Sequence, residues 1–433
     1  MFCSFKTSYC IRFLIVGAIV LFLSACGGNE QKNMQSQEPP PPELSKDPVD
    51  LLFFSMSGWT EETFNERFGD SMRKKFPHYN IRYIPSSKTV TIESLIAAGE
   101  TIDVYWDTHI ATFSALHRYQ MQYDMSELIK KHKVNLDLLD QAALNISRTM
   151  SNGGLYALPL VNNTTVLYYN KDIFDKFGVS YPKDGMMMHE VLELAKRLNR
   201  DDGGTRYYGI GSYPSYFLSQ NPFSIPYIDA RTEKPTILSD PRWKTIYEYL
   251  IAAFHTADNK SLSDTNAFVR DKNAAMFLGL ANLFLNFDVS GMNWDLAAFP
   301  QYKEAPGVGP QTLPTMFAIT SMSKHPNQAM AVLAHILSEE EQKALAERAI
   351  MPILRTPQVI ESFGKKAPYP GKNYAAIFKY KFAESPPLTG YDTKAKDIYL
   401  RYVGNMANGT MDFNTAFRKI EEETLKMIAA EKN

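Results

Sequence analysis

From Val49 onward, short apolar runs alternate with stretches whose apolar residues recur at helical spacing, and this alternation limits the fold more than any other feature. "VDLLFFSM" (Val49 to Met56) is continuously apolar, as a strand covered on both faces must be. In the following "SGWTEETFNERFGDSMRKKF", Thr60 is placed to cap a helix and Glu61 and Glu62 suit its positive end. Phe64, Phe68, Met72 and Phe76 then recur every fourth residue along one face. "NIRYIP" reads as a strand, "TVTIESLIAAG" as a helix ended by Gly99, and "IDVYW" as another strand. A second series opens near Gly153, where "YALPL" and "TTVLYY" flank the polar pair Asn162-Asn163 and lead into the helix start "NKDIFDKFG". Prolines at the starts of helices near Pro241 and Pro326, and a capping box from Ser338 to Glu341, mark later helices. Alternating strands and helices predict an α/β fold with largely parallel sheets. At 433 residues the chain is long enough for two or three domains, or for one large two-lobed unit.

The charge balance removes one class of function. A formal net charge of -1 provides no electrostatic footprint for nucleic acid. Cysteine use is more specific: Cys3, Cys10 and Cys26 all fall at the N-terminus, so removal of a leader leaves at most one thiol and no internal disulfide. That leader is legible. Lys6 and Arg12 precede the apolar run "FLIVGAIVLFL", which ends in the small residues Ser24 and Ala25, the order of a secretory signal peptide over residues 1–25. The run is too short to span a bilayer. "LSAC" (Leu23 to Cys26) resembles the lipobox of bacterial lipoproteins, which implies that Cys26 is lipidated and becomes the first mature residue. Residues 26–47, with the run Pro39 to Pro42 and almost no large apolar side chains, read as an extended tether that holds the folded body off a membrane.

Several longer segments together resemble one family. The lipobox, "GGLYALPLVNNTTVLYYNKDIFDKFGVSYP", "RDKNAAMFLG", "NWDLAAFPQY" and "FAITSMSKHPNQAMAVLAHILSEEEQKALAE" are similar, in family order, to the extracellular solute-binding proteins of ABC importers, specifically the sugar-binding family that includes maltose-binding protein. The resemblance implies a type II periplasmic-binding-protein-like fold. Each of its two lobes would be a mostly parallel sheet flanked by helices, with the ligand cleft at the hinge. It also implies lobe boundaries: 48–162 and 272–312 in the first lobe, 163–271 and 313–433 in the second. The first crossing then falls at Pro159 to Thr165, with a return near Lys272 and a second departure near Thr312. The implied function is capture of a carbohydrate, and of an oligosaccharide above all, by a monomer lipid-anchored on the outer face of the cytoplasmic membrane. That monomer delivers its ligand to the transmembrane permease subunits.

Ligands of open α/β sheets meet the carboxyl ends of strands, which turns strand ends into candidate site positions. Trp59 and Trp106 follow or end such strands, and a tryptophan face can stack on the C–H face of a sugar ring. Trp294 also stands near a strand but directly precedes an apolar run, and Trp243 falls among helical core positions. Asp107 can accept two hydroxyl hydrogen bonds, or cap the following helix. By resemblance, Asn163 stands where maltose-binding protein has a ligand-contacting carboxylate, with Thr164 beside it. Tyr213 and Tyr216, with Phe217, fall loosely on an aromatic platform. Gly279 stands where the family's backbone nears the ligand, and Asn282 lies a turn beyond. Leu280 and Ala281 replace the tryptophan often found after that glycine, which argues against a long maltodextrin.

Other chemistries find little in the sequence. "HEVLE" at His189 lacks the second histidine of the zinc-protease motif, and neither G-x-S-x-G nor a P-loop occurs. "RDDGGTR" (Arg200 to Arg206) lacks the spacing of a calcium loop. The expectation is therefore a binding protein with no catalytic residue, metal or cofactor. A sensor or adhesion lipoprotein of the same fold, and an anchored glycoside-active enzyme, are the alternatives.

Overall fold

The computed structural model describes residues 48–257 and 264–432. The signal peptide, Cys26 and the tether lie outside the described residues.

Two five-stranded sheets organise the body. In the first, the order is Tyr79–Pro85, Val49–Ser55, Val104–Thr108, Thr315–Ile319, Leu158–Val161. In the second it is Trp294–Ala297, Thr165–Asn170, Ala274–Leu280, Thr205–Ser212, Arg200–Asp202. The apolar runs form strands because both faces are covered. Leu51 and Phe53 enter one core cluster while Leu52 and Phe54 enter another, as a period of two requires. The second sheet divides likewise, Val166 and Tyr168 to one side and Leu167 and Tyr169 to the other.

Two details differ from the sequence expectation. First, the sheets are mixed. Val49–Ser55 pairs in parallel with both neighbours, but Thr315–Ile319 is antiparallel to the strands on either side of it. In the second sheet only Ala274–Leu280 with Thr205–Ser212 is parallel. The cause is the crossing itself: strands that close a β-α-β unit run toward the gap between the sheets, whereas a strand arriving from the other sheet starts at that gap and runs away. Second, the later lobe boundaries are exchanged. Ala274–Leu280, expected in the first lobe, is the middle strand of the second sheet, and Thr315–Ile319, expected in the second, belongs to the first. The chain leaves the first sheet between Val161 and Thr165, stays with the second through Ala297, and returns just before Thr315. The helices Pro326–Ile336 and Glu339–Glu347 pack with the first lobe, and Asp392–Arg401 and Phe413–Lys432 with the second.

A buried glutamine ties the returning segment to the first crossing. Gln342 is fully buried; its Nε2 donates to the carbonyls of Leu160 and Ile336, both at 2.9 Å. Its Oε1 accepts from Ile353 N at 2.7 Å and Leu354 N at 3.3 Å. One side chain thus satisfies four backbone groups and positions the loop that carries Ile350 and Met351. Leucine has nearly the same volume but can pair none of them, and each buried backbone group left unpaired costs about 1–3 kcal/mol. Gln342→Leu is expected to lower unfolding stability by roughly 3 kcal/mol or more, measured by urea denaturation; a loss below about 1 kcal/mol contradicts this role.

Candidate functional site

The carboxyl ends of four strands meet where the two sheets face each other. Ser57 and Trp59 follow Val49–Ser55, Trp106 to Thr108 end the third strand, Asn162 and Asn163 follow Leu158–Val161, and Leu280 and Asn282 close Ala274–Leu280. With Arg67, Asn286, Leu313 and Met351 they line a chamber of about 220 Å³. A second chamber of about 470 Å³ lies on the other side of Thr108, which lines both. Strand alternation separates the two: Trp106 faces the first, while its neighbour Tyr105, with Met56, Ile110 and Tyr119, lines the second. From the other lobe, Ser219, Tyr227, Asp392 and Lys396 complete the second chamber.

Short polar contacts fix the crossing beneath the first chamber. Leu313 N donates to Asn163 O at 2.9 Å, and the Thr312 hydroxyl donates to Asn162 Oδ1. Asn162 N donates to Met351 O at 2.9 Å, and Ala281 N to Thr164 O at 2.8 Å. Three side chains lining the chamber nonetheless carry a buried polar atom with no partner in the described protein: Trp106 Nε1, Asn162 Nδ2 and Asn282 Oδ1. Two of these atoms are donors and one an acceptor. Each is costly to bury unpaired, so their meeting at one cleft marks a place where a polar ligand is favoured.

Two ionisable side chains, Arg67 and Asp107, line the chamber. Asp107 is buried, which raises its pKa, while hydrogen bonds from Thr108 and Ser55 act the other way. Thr108 N donates to Asp107 Oδ1 at 2.6 Å. The cap position of the following helix, His109–Arg118, is Thr108. In the second chamber Asp392 is 2% exposed. Its Oδ2 accepts from the Thr389 hydroxyl at 2.7 Å and from Thr389 N, but Oδ1 has no partner among the described residues, and neither has Tyr227 Oη. Burial pushes the Asp392 carboxyl up to about 6.

The structure therefore brings Trp59, Trp106, Asp107, Asn163 and Asn282 together around one chamber. Trp106 does not offer a free ring face. It is 1% exposed and lies stacked 5.4 Å from Phe317 and 6.0 Å from Phe64, so it forms the floor. Trp59 is half-buried, with its ring edge-on to Trp106 at 4.7 Å, Phe68 parallel to it at 6.2 Å and the Arg67 guanidinium 4.4 Å over it.

The other expected positions lie elsewhere. Thr164 lies in the crossing, outside both linings. Gly279 pairs with Val166 within the sheet, and a Cβ there would come 2.7 Å from the Phe277 ring and 3.3 Å from Leu283, so the close approach is to core side chains. Tyr213 and Tyr216 line neither chamber; Tyr213 hydroxyl-bonds Thr265 and packs edge-on to Phe277 at 6.0 Å. Trp294 is buried against Phe284, and Trp243 is core. Arg67, Asn162, Asn286, Tyr105, Tyr227 and Asp392 were not anticipated. The sequence carries no signal for Arg67, which stands beside the apolar face of Phe64, Phe68 and Met72 as a surface charge of an amphipathic helix would. Among the described residues no group of three or more histidine, cysteine, aspartate or glutamate side chains is placed to hold a metal ion.

Two facing α/β lobes joined by paired crossing segments, with a polar cleft between them, define a two-lobed ligand-binding protein. The chain belongs to the bacterial extracellular solute-binding protein family, whose profile matches residues 57–343. An uncharacterised ABC transporter extracellular-binding protein of Pyrococcus horikoshii is 23% identical over 364 residues, 77% of each chain. Among solved structures, an ABC substrate-binding protein of Listeria monocytogenes in complex with cycloalternan superposes with a TM-score of 0.70 at 17% identity, covering 88% of this chain and 100% of that one. A maltose-bound protein of T. maritima gives 0.64 at 16% identity, with 88% and 100% covered. The fold is thus that of the type II binding proteins, and the family places the protein outside the cytoplasmic membrane.

The Asp392 environment gives a pH prediction. A carboxyl whose folded pKa is about 6, above the usual 3.9, costs stability when ionised and is relieved as pH falls from 6 toward 4. Asp392→Asn is expected to be more stable than the unsubstituted protein at pH 7, by on the order of 3 kcal/mol, with the difference shrinking toward pH 4. Denaturant titrations at both pH values measure it; a pH-independent difference contradicts it.

Proposed function

We propose that this protein is the lipid-anchored solute-binding component of an ABC importer, that its ligand is a carbohydrate, and that it hands this ligand to a membrane permease without chemical change. The observation that carries the ligand class is the set Trp106 Nε1, Asn162 Nδ2 and Asn282 Oδ1, unpartnered and buried around one cleft beside Asp107. A sugar hydroxyl both donates and accepts, so a ring with several of them can pair donors and acceptors of this kind without carrying charge. Trp59, half-buried at the first chamber, supplies apolar surface beside them. The adjoining chambers favour more than one sugar ring. Two proteins of similar fold hold cycloalternan and maltose, which agrees with this reading.

Two lobes joined by narrow crossings can close over a ligand by hinge bending, and closure is the signal a permease would read. Attachment rests on Cys26 in "LSAC", with more than one acyl chain making it stable.

A thermal-shift screen of the purified protein against mono- and oligosaccharides, peptides, amino acids and divalent metals tests the ligand class. A sugar at about a hundred times its Kd should stabilise the protein by roughly 2.7 kcal/mol; shifts with peptides or metals alone would overturn the carbohydrate reading. For the sugar found, Asp107→Ala is expected to weaken calorimetric affinity by 1 kcal/mol or more, on the order of a hot-spot truncation. Cys26→Ala is expected to release the protein from membranes with ligand affinity intact, and continued membrane retention would sink the anchor.

A further inference from the structure

The first chamber contains a cation with no carboxylate partner among the described residues. Arg67 lies in the π-helical turn Asn65–Gly69, an irregularity that often accompanies function. Its side chain lines the chamber and is partly buried. Trp59 covers one face of the guanidinium at 4.4 Å. Of its five N–H donors, the one hydrogen bond found among the described residues runs to Asn286 Oδ1 at 3.4 Å, longer than an ordinary N–H to oxygen bond.

No carboxylate among the described residues lies within 4.0 Å of Arg67. Asp107, the acidic group of the same chamber, is bonded to Thr108 instead. The surroundings add no compensation. Arg348, whose guanidinium donates to the Glu66 carbonyl at 2.6 Å, is a second cation close enough to lower the Arg67 pKa. Burial is the larger cause of that lowering, and Glu66 opposes it. A partly buried guanidinium held against an aromatic ring, with four of its five donors unused among the described residues, is poised to take an anionic partner. Here the unpaired group faces the same cleft as the unpartnered Trp106, Asn162 and Asn282 atoms.

We propose that the carbohydrate is acidic, its carboxylate, phosphate or sulfate group taken by the Arg67 guanidinium while the uncharged polar side chains hold its hydroxyls. The planar fork of arginine matches two oxygens of any of these groups, and a charge-assisted bond is about twice as strong as a neutral one. Trp59 stacking holds the fork in place before the ligand arrives, which limits the entropy lost on binding. This proposal rests on the carbohydrate reading above and narrows it.

Calorimetry on the full-length protein with matched sugars tests it: galactose, galacturonate, galactose 6-phosphate and galactose 6-sulfate, with galactobiose against digalacturonate, and glucose against glucuronate. The expected result is that at least one acidic member binds about tenfold or more tighter than its neutral parent, and the arm that does so names the anionic group. In Arg67→Gln that ratio is expected to fall by about tenfold or more; Arg67→Lys, which keeps the charge but loses the fork, should fall between the two. Melting temperatures of both variants show that they fold, and Arg67→Lys keeps the test open if Arg67→Gln does not. Neutral sugars binding as tightly as every acidic partner would overturn the proposal and leave the carbohydrate reading standing. An acidic preference that survives Arg67→Gln would also overturn it. Binding by no sugar at all would overturn both.

Discussion

Everything in the body depends on the side-by-side pairing of two crossing segments, Asn162 to Thr164 and Thr312 to Leu313. The Thr312 hydroxyl bonds Asn162 Oδ1 and Leu313 N bonds Asn163 O, so these two passages between lobes run hydrogen-bonded side by side, and a third passage follows between Glu347 and Asp392. This arrangement sets strand direction: Thr165–Asn170 and Thr315–Ile319 must start at the cleft and oppose their neighbours. It also brings four carboxyl strand ends to a common gap, and through Gln342 it fixes the loop that carries Met351 to the first crossing. One apolar cluster runs through both lobes, joining Phe53 and Phe317 of the first sheet to Val166 and Tyr168 of the second, while the opposite face of each sheet packs on a cluster of its own lobe.

The chemistry of the cleft follows from the alternation of side chains at those strand ends. Trp106 and Tyr105 are adjacent in sequence yet serve different chambers, because successive residues of a strand point to opposite faces. Thr108, at the tip, touches both. The first chamber combines unpartnered amide and indole atoms with one unpaired guanidinium, and the second combines tyrosine rings with the unpartnered Asp392 Oδ1. Partly satisfied buried polar groups are destabilising in a static core. In a cleft, the same groups are available to pair with a polar ligand.

Much of this was legible in the sequence, for identifiable reasons. Continuous apolar runs such as "VDLLFFSM" signal strands covered on both faces, and the family resemblance implies the first crossing at Pro159 to Thr165. Trp59, Trp106 and Asp107 are legible because they stand at strand ends, whereas Asn163 and Asn282 follow from the family resemblance. An apolar run does not say which sheet it joins, and Ala274–Leu280 and Thr315–Ile319 lie in the opposite lobes from those the resemblance implies. Arg67 was hidden because the four-residue spacing of Phe64, Phe68 and Met72 reads as a plain amphipathic helix, on which an arginine looks like a solvated surface charge. The π-helical turn at Asn65–Gly69 is invisible to that pattern. Tyr227 and Asp392 lie 165 residues apart in sequence, and only the fold places them in one chamber.

The central claim is that the gap between the lobes is where the solute sits and that its polar groups are paired there. A crystal structure of the protein with the tightest-binding sugar tests this most directly. The account predicts sugar density between the lobes, with hydroxyl oxygens within about 3 Å of Trp106 Nε1, Asn162 and Asn282. Sugar bound on an outer face of either lobe, with these three side chains still unpaired, would contradict it.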